Sequence, residues 1–136
     1  MSFLRHSDFD TPIHTARQTR GMRAYHSGVS AEQAVERHYL GRGCSLAARR
    51  CRNAGGELDL VLRHGDCVIF VEVKKARDFA SAAERVSPRQ IARLQQAAEL
   101  FLADEPGGAL TDCRFDVALV NQSGEIEILE NALMGF

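Results

Sequence analysis

Three features are missing from this chain of 136 residues, and each absence excludes a class of protein. No apolar run approaches the roughly 18 residues of a membrane-spanning helix. The N-terminus lacks the apolar stretch of a secretion signal, so we expect a cytoplasmic protein. No Cys-x-x-Cys pair occurs among Cys44, Cys51, Cys67 and Cys113, which predicts free thiols rather than a zinc site or disulfides.

A strong net charge is also missing, but the charges are distributed unevenly along the chain. The formal net charge is −1. Residues 37–93 contain 12 basic and 6 acidic residues, whereas residues 94–136 contain 1 basic and 8 acidic residues. A fold that keeps these charges apart has a cationic face that can bind a phosphate backbone. A fold that intermixes them gives the asymmetry no functional meaning.

The length and the ordinary apolar and charged fractions, 45% and 26%, predict one folded domain. Residues 1–29 show no sustained periodicity, so we expect a flexible N-terminal extension followed by a domain over residues 30–136. The patterns within that domain predict an α/β fold in which helices flank a mixed β-sheet. The expected order of elements is α-β-β-β-α-β-β.

Helix starts and strand patterns define these elements. Ser30-Ala31-Glu32-Gln33 is typical of a capping box, and the helix it opens is expected to end at Gly41. Ser87 and Pro88 are typical of a helix cap and first helical position, and apolar residues follow at helical spacing. Strands are predicted around residues 44–50, 58–63, 67–74, 114–120 and 125–129.

The second and third predicted strands carry the side chains with the clearest chemistry. The two-residue loop Gly65-Asp66 suits a type II′ turn, which sets a register in which paired residue numbers add to 131. Asp59 then lies opposite Glu72, and strand alternation puts Lys74 on the same face as Glu72. Two opposed carboxylates repel each other unless a cation neutralises them, and oxygen ligands suit Mg²⁺ or Mn²⁺. The pattern favours a metal site formed by Asp59, Glu72 and the carbonyl of Val73, with Lys74 beside it.

Four other acidic residues have two interpretations each. Glu32 lies at the edge of the apolar arc of the first helix, while the helical projection directs Glu36 further out. We expect Glu32 to reach the site, with solvation on the helix surface as the alternative for both. Glu57, opposite Lys74 in the predicted register, is a supporting acid or a surface residue. Asp116 is expected to serve the structure rather than to flank the site.

A further set of side chains in the basic half is expected to contact phosphate groups. Cationic side chains supply most of the affinity of a protein for nucleic acid, and an amide can bind a phosphate oxygen or a water. The members of the set are Arg49, Arg50, Arg52, Lys75, Arg77, Arg89, Gln90 and Arg93.

Several of these segments resemble one known family. The segments are Gly56-Glu57-Leu58-Asp59-Leu60, Val68-Ile69-Phe70-Val71-Glu72-Val73-Lys74, Ser87-Pro88-Arg89-Gln90 and Arg114-Phe115-Asp116-Val117. They are similar to motifs of the YraN-like family of predicted endonucleases, and the resemblance covers about residues 28–133. It implies a restriction-endonuclease-like fold, related to archaeal Holliday-junction resolvases, with a PD-(D/E)xK-type site. It also implies Asp59 and Glu72 as the acidic pair, Lys74 as the lysine and Glu32 as the helix glutamate.

Two positions depart from the pattern that the resemblance implies. Leu58 stands where the motif has proline, and Gln90 stands where we would expect a lysine, so a charge is missing there. The implied function is a Mg²⁺- or Mn²⁺-dependent nuclease acting on nucleic acid, with DNA favoured over RNA and branched DNA included. A homodimer would suit a junction-cutting enzyme, because such an enzyme makes two cuts.

Two other functions stay open on the sequence alone. One is a nucleic-acid-binding module without turnover, which uses the same cationic side chains. The other is an interaction protein whose acidic C-terminal half binds a basic partner. Strong salt dependence of binding would indicate the first, and a lack of any nucleic-acid affinity would indicate the second.

Overall fold

A computed structural model describes residues 30–132 of the chain. The expected N-terminal extension, residues 1–29, lies outside the described residues and stays a prediction. Except for Ser30, the described residues belong to one compact unit, Ala31–Phe136. The elements are α1 (residues 30–40), β1 (Ser45–Asn53), β2 (Gly56–His64), β3 (Cys67–Lys75), α2 (Phe79–Ala83), α3 (Pro88–Ala103), a 3₁₀ helix (Gly108–Leu110), β4 (Cys113–Val120) and β5 (Ile126–Leu129).

The five strands form one mixed sheet in the order β1-β2-β3-β4-β5. Neighbouring strands are antiparallel except β3 and β4, which are parallel and are joined through α2 and α3. The predicted α/β class and element order are therefore confirmed. The short helix α2 is an addition to the predicted order, and it begins where the side chain of Asp78 accepts a hydrogen bond from the Ser81 N–H at 2.8 Å.

Helices cover both faces of the sheet. The buried residues of α3 share a core with Phe70 and Val117, whereas those of α1 share a core with Val71 and Ala118. Because consecutive strand residues point to opposite faces, these two cores form separate layers on either side of β3 and β4. The buried residues are Ile91, Leu94, Ala97, Ala98 and Leu102 on α3, and Ala31, Val35 and Tyr39 among the apolar residues of α1.

The hairpin of β2 and β3 has the predicted turn position and register. Gly65 has a φ of 61°, the positive value that the first central residue of a type II′ turn requires. Pairing runs from His64–Cys67 to Leu60–Val71, with residue numbers that add to 131 throughout. The ladder stops one pair before Asp59, and the candidate site begins at that point.

The loop between β1 and β2 holds α3 against the sheet. The side chain of Asn53 donates a hydrogen bond to the carbonyl of Ala97 at 2.9 Å and accepts one from the Gly55 N–H at 2.8 Å. A Cβ atom at Gly55 would stand 2.6 Å from the backbone nitrogen of Ala97, so only glycine permits this close approach. This contact sets the position of α3 relative to the start of β2.

The fold bears on two predictions from the sequence, the lack of a membrane-spanning helix and the state of the cysteines. No helix within residues 30–132 combines the length and the apolar character that crossing a membrane requires. The four cysteines are free thiols, as expected. Three of them are half-buried and Cys113 is exposed.

Candidate functional site

The predicted acidic pair and lysine meet where β2 and β3 stop pairing. The carboxylate of Asp59 accepts a hydrogen bond from the backbone N–H of Val73 at 2.9 Å. Glu72 lies close enough to Asp59 for that carboxylate to raise its pKa, and its Oε2 lies 3.0 Å from the Nζ atom of Lys74. The side chains of Glu72 and Lys74 are only 12% and 15% exposed. The structure therefore brings these residues into one cluster that is largely shielded from water.

The charge of the acidic pair is only partly balanced by its surroundings. Burial, and then the hydrogen bond and charge of Asp59, raise the pKa of Glu72 to about 8 against the opposing effect of Lys74. Below that pH Glu72 holds a proton beside Asp59. A proton thus compensates the charge at a place where a cation could do the same.

The donor set fits a hard divalent cation. Carboxylate oxygens are preferred ligands of Mg²⁺ and Mn²⁺, and Mg²⁺ commonly uses one or two carboxylates together with water and phosphate oxygens. Asp59 and Glu72 meet this requirement. Among the described residues, no group of three His, Cys, Asp or Glu side chains is arranged to hold a metal ion. Further ligands would therefore be water, phosphate oxygens and, as predicted from the sequence, the carbonyl of Val73.

Gln90 lies on the first turn of α3 and contacts Lys74. With its amide oriented to satisfy both ends, Oε1 accepts from Lys74 Nζ at 3.2 Å and Nε2 donates to the carbonyl of Arg85 at 2.8 Å. The reverse orientation puts Oε1 3.4 Å from the Ser87 N–H but turns an amino group toward an ammonium group, so we favour the first. Gln90 therefore helps to hold Lys74, a contact that the sequence did not indicate.

Glu32 extends the negative charge of the cluster. Burial is the main cause that raises its pKa, and the charge of Asp59 adds to the rise. Arg50 opposes it, with Nε and Nη2 donating to the two carboxylate oxygens of Glu32 at 3.0 and 3.3 Å. The predicted helix glutamate therefore lies within electrostatic range of Asp59, but an arginine holds it.

Arg50 has an unusual backbone at this position of β1. Its φ is 44°, in the left-handed region that residues with a side chain seldom adopt. Arg49 pairs with Leu60 and Cys51 pairs with Leu58, so Arg50 falls opposite Asp59 although the two form no backbone pair. Both neighbours of Asp59 across the sheet thus depart from regular pairing, which is a frequent property of functional sites.

Glu36 does not lie where the helical projection placed it. The residue is only 9% exposed, and Arg49 donates to its two carboxylate oxygens at 2.7 and 2.9 Å. The prediction that it points further out is wrong, because an arginine of the edge strand covers this flank of α1. Glu32, whose charge interacts with that of Asp59, is the better-placed glutamate for the candidate site.

Glu57 is a surface residue rather than a partner of Lys74. The expected backbone pairing of these two residues is wrong, because the β2–β3 ladder ends at Leu60. The carboxylate of Glu57 lies 3.1 Å from the guanidinium of Arg52, and the two side chains are 38% and 80% exposed. The surface alternative for Glu57 is the one that the structure supports.

Several of the predicted phosphate-binding residues are already in ion pairs. These pairs are Arg49–Glu36, Arg50–Glu32, Arg52–Glu57 and Arg77–Asp78. The last two pairs are exposed, and exposed ion pairs contribute at most about 1 kcal/mol each, so a phosphate group can replace the carboxylate there. Arg89 and Arg93 are exposed on α3 on either side of Gln90, and Lys75 is half-buried at the end of β3.

Asp116 is buried in a complete network of hydrogen bonds. It accepts from the hydroxyl of Tyr39 at 2.7 Å, from Nε and Nη2 of Arg114 at 2.9 Å each, and from the N–H of Asn131 at 3.0 Å. Burial, and then the bond to Asp116, raise the pKa of Tyr39 far above its ordinary value. Four donors satisfy both carboxylate oxygens, so this residue has the structural role that we expected.

The fold and the site together define a class: a three-layer α/β/α domain with an acidic pair and a lysine at the end of its central hairpin. The chain belongs to the uncharacterised protein family UPF0102, whose model matches residues 31–120. This match includes every residue of the candidate site.

Relatives of similar length occur in several bacteria. A UPF0102 protein of Ruegeria pomeroyi is 54% identical over 114 residues, which cover 84% of this chain and 93% of the relative. One from Roseobacter denitrificans is 52% identical over 122 residues, 90% of this chain and 95% of the relative. One from Dinoroseobacter shibae is 45% identical over 124 residues, 91% of this chain and 92% of the relative. None of these names states an activity.

Proposed function

We propose that the chain is a divalent-metal-dependent nuclease that hydrolyses phosphodiester bonds in nucleic acid, DNA in particular, through a PD-(D/E)xK-type site. The observation that carries the proposal is the hydrogen-bonded pair of Asp59 and Glu72 with the ammonium of Lys74 3.0 Å from Glu72. Once Glu72 gives up its proton, this pair has the oxygen ligands and the negative charge that a bound Mg²⁺ or Mn²⁺ requires.

The residues of the site have distinct expected roles. Asp59 and Glu72 would hold the metal, which when bound lowers the pKa of a water and offsets the charge of the phosphate. Lys74 is positioned by Glu72 and Gln90, and its Nζ can donate to the attacking water or to a phosphate oxygen. Glu32 is a positioning residue, because it acts through Arg50 and through its charge near Asp59.

The cations around the site supply the expected contacts with the nucleic-acid backbone. Arg89 and Arg93 are exposed on α3 beside Gln90, which itself contacts Lys74. A phosphate backbone that crosses the first turns of α3 would therefore pass close to the acidic pair. Binding through such contacts weakens steeply as the salt concentration rises.

A nucleic-acid-binding module without turnover is the second candidate, and one observation favours it. Gln90 stands where a second cation is expected, and the neutral amide adds no charge to stabilise a developing anion. This candidate retains the cations of α3 and β1 but predicts no cleavage. It also predicts that removing Glu72 leaves binding intact or tightens it, since a negative charge is lost near the phosphates.

A cleavage assay separates the two candidates. The purified protein is incubated with Mg²⁺ or Mn²⁺ and labelled single-stranded, duplex, flap and four-way-junction DNA, and with RNA. Glu72→Ala and Lys74→Ala variants run beside a matched control, Glu127→Ala, which changes an exposed glutamate of β5. We expect the wild type and the control to cut at least one substrate and both site variants to lose about 100-fold or more of the rate.

Two results of this assay would contradict the nuclease proposal. Cleavage that survives in Glu72→Ala and Lys74→Ala would assign the activity to another site or to a contaminant. A gel shift by the wild type with no cleavage under any metal would favour the binding module, particularly if Glu72→Ala binds more tightly.

A further inference from the structure

A second feature that can bind a ligand lies at the other end of α1 from Glu32. It is a surface pocket of about 430 Å³ between the last turn of α1, the start of β4 and strand β5. Pockets of a few hundred Å³ are typical of small-molecule sites. None of the residues proposed above to bind the metal or the nucleic acid lines it.

The polar part of the lining includes two arginines. Arg42 and Arg114 line the pocket with His38 and His64, against a single carboxylate, that of Glu130. Glu130 is 67% exposed and lies 3.9 Å from Arg114. Burial, and then the charge of Arg42, lower the pKa of His38, so Arg42 lies within electrostatic range of this imidazole. An anion beside Arg42 would offset its charge.

The two arginines differ in how they are held. Arg114 uses Nε and Nη2 to bind Asp116, so its guanidinium is fixed, and its remaining N–H groups are available to a ligand. Arg42 is exposed, and among residues 30–132 no carboxylate lies within ion-pair distance of it. One fixed and one adaptable guanidinium suit a phosphate group, whose oxygens accept parallel hydrogen bonds from arginine.

The lining also has an aliphatic part. Ile69, Ile126 and Ile128 belong to it, and the last two are half-buried on the sheet face beside α1. A bare inorganic ion would leave these side chains unused. Arginines and apolar surface in one pocket match a phosphate ester that carries an organic body.

We propose that this pocket binds the phosphate monoester of a nucleotide, with the phosphate on Arg42 and Arg114 and the base or sugar against the isoleucines. A free mononucleotide and the 5′-phosphorylated end of a strand present the same chemistry. The phosphate site does not depend on the proposed nuclease activity, whereas the choice of a nucleotide as the organic body rests on it.

A binding titration in EDTA tests the proposal without any cleavage. The probes are dTMP, inorganic phosphate, phenyl phosphate, and a thymidine tetranucleotide with and without its 5′-phosphate. The proteins are the full wild-type chain and the variants Arg42→Gln and Ile128→Glu. The matched control is Arg37→Gln, which changes an exposed arginine of α1 that does not line the pocket. Arg114 is left intact, because its loss would strip the buried Asp116 of its cation.

We expect dTMP, the phosphorylated tetranucleotide or both to bind saturably, with a Kd that rises about tenfold or more in Arg42→Gln and Ile128→Glu. The Kd of Arg37→Gln should equal that of the wild type. Comparable affinity for both probes would identify a free nucleotide, and binding of the tetranucleotide alone would identify a strand end. The Glu72→Ala protein should give the same values, so a failed nuclease proposal leaves this result standing.

Four results would overturn the inference. They are no binding of any probe, equal binding of the tetranucleotide with and without its phosphate, an unchanged Kd in Arg42→Gln, and inorganic or phenyl phosphate binding as tightly as the nucleotides. The last result would show that the pocket binds anions without any preference for a nucleotide.

Discussion

Two buried acidic groups on this sheet have opposite surroundings. Val71 pairs with Asp116 and Glu72 pairs with Val117 across the parallel strands β3 and β4, so the two acids are one register position apart. Asp116 faces the α1 layer and has four hydrogen-bond donors. Glu72 faces the α3 layer and has one ammonium beside it and a second carboxylate whose charge raises its pKa.

The difference separates a structural acid from a candidate functional one. A buried carboxylate that receives donors on both oxygens contributes to the fold and has no capacity left for a ligand. A carboxyl group with a second acid beside it and few donors weakens the fold and retains ligand capacity. Asp116 is fully buried and Glu72 is 12% exposed, but it is the number and charge of their partners that give them different roles.

The largest expected effect is on stability at Asp116. Asp116→Ala leaves the hydroxyl of Tyr39 and the guanidinium of Arg114 without their buried acceptor, so we expect a loss of about 3–5 kcal/mol in the free energy of unfolding. Denaturant unfolding followed by circular dichroism measures it. Glu130→Ala, which changes an exposed acid near the same arginine, should cost less than about 1 kcal/mol. Similar losses in both variants would contradict the structural assignment.

Stability should fall with rising pH because of Glu72. In the metal-free protein, the folded state retains the Glu72 proton up to about pH 8, whereas the unfolded chain loses it near 4.5. The stability that this group contributes is therefore complete below pH 4.5 and is lost as the pH rises to 8. Melting temperatures in EDTA, with Glu72→Gln as the comparison, measure it.

The Glu72→Gln protein should lose less stability than the wild type between pH 5 and 8, since the amide does not ionise. The matched variant Glu127→Gln should follow the wild type. If stability depends on pH in the same way in the wild type and in Glu72→Gln, the pKa of Glu72 is not raised in the folded protein.

A smaller effect should distinguish the two glutamates of α1. Glu32→Gln removes a negative charge near Asp59 and releases Arg50, so we expect the affinity for Mn²⁺ and the cleavage rate to fall about tenfold. Glu36→Gln changes the same residue type one turn further along and breaks an equivalent pair with Arg49. It should leave both quantities within twofold of the wild type. An equal loss of affinity and rate in the two variants would show that Glu32 has no specific role in the candidate site.

The smallest effect is expected at Gln90. Gln90→Ala removes one hydrogen bond from Lys74 while Glu72 still holds it, so the cleavage rate should fall only about threefold. The matched control is Gln96→Ala, an exposed glutamine of the same helix. A loss as large as that of Lys74→Ala would mean that Gln90 contacts the substrate directly.

Features determined by neighbouring residues were predictable from the sequence. The two-residue turn at Gly65 and the alternation along β2 and β3 specify the hairpin register, and the Ser87 cap with Pro88 specifies the start of α3. These signals lie within a few residues of the structure they determine. The grouping of Asp59 with Glu72 and Lys74 follows from that register, which is why the core of the candidate site could be predicted.

Features that depend on distant residues could not be predicted. The burial of Glu36 depends on Arg49 of the edge strand, and the network of Asp116 depends on Tyr39, 77 residues earlier in the chain. The ladder ends before Asp59 because its side chain, rather than the backbone of β2, takes the Val73 N–H. The Asn53 contact with α3 had a local signal, the loop Asn53-Ala54-Gly55-Gly56, but its partner lies 44 residues away.

Calorimetric titration of Mn²⁺ into the metal-free protein at pH 7 tests the central claim most directly. We expect one ion per chain and the release of a proton, seen as a heat that depends on the buffer, because Glu72 is largely protonated at that pH. Binding should be lost in Asp59→Asn and Glu72→Gln and retained in Glu127→Gln. No binding at millimolar Mn²⁺, or equal binding by Asp59→Asn, would contradict the account.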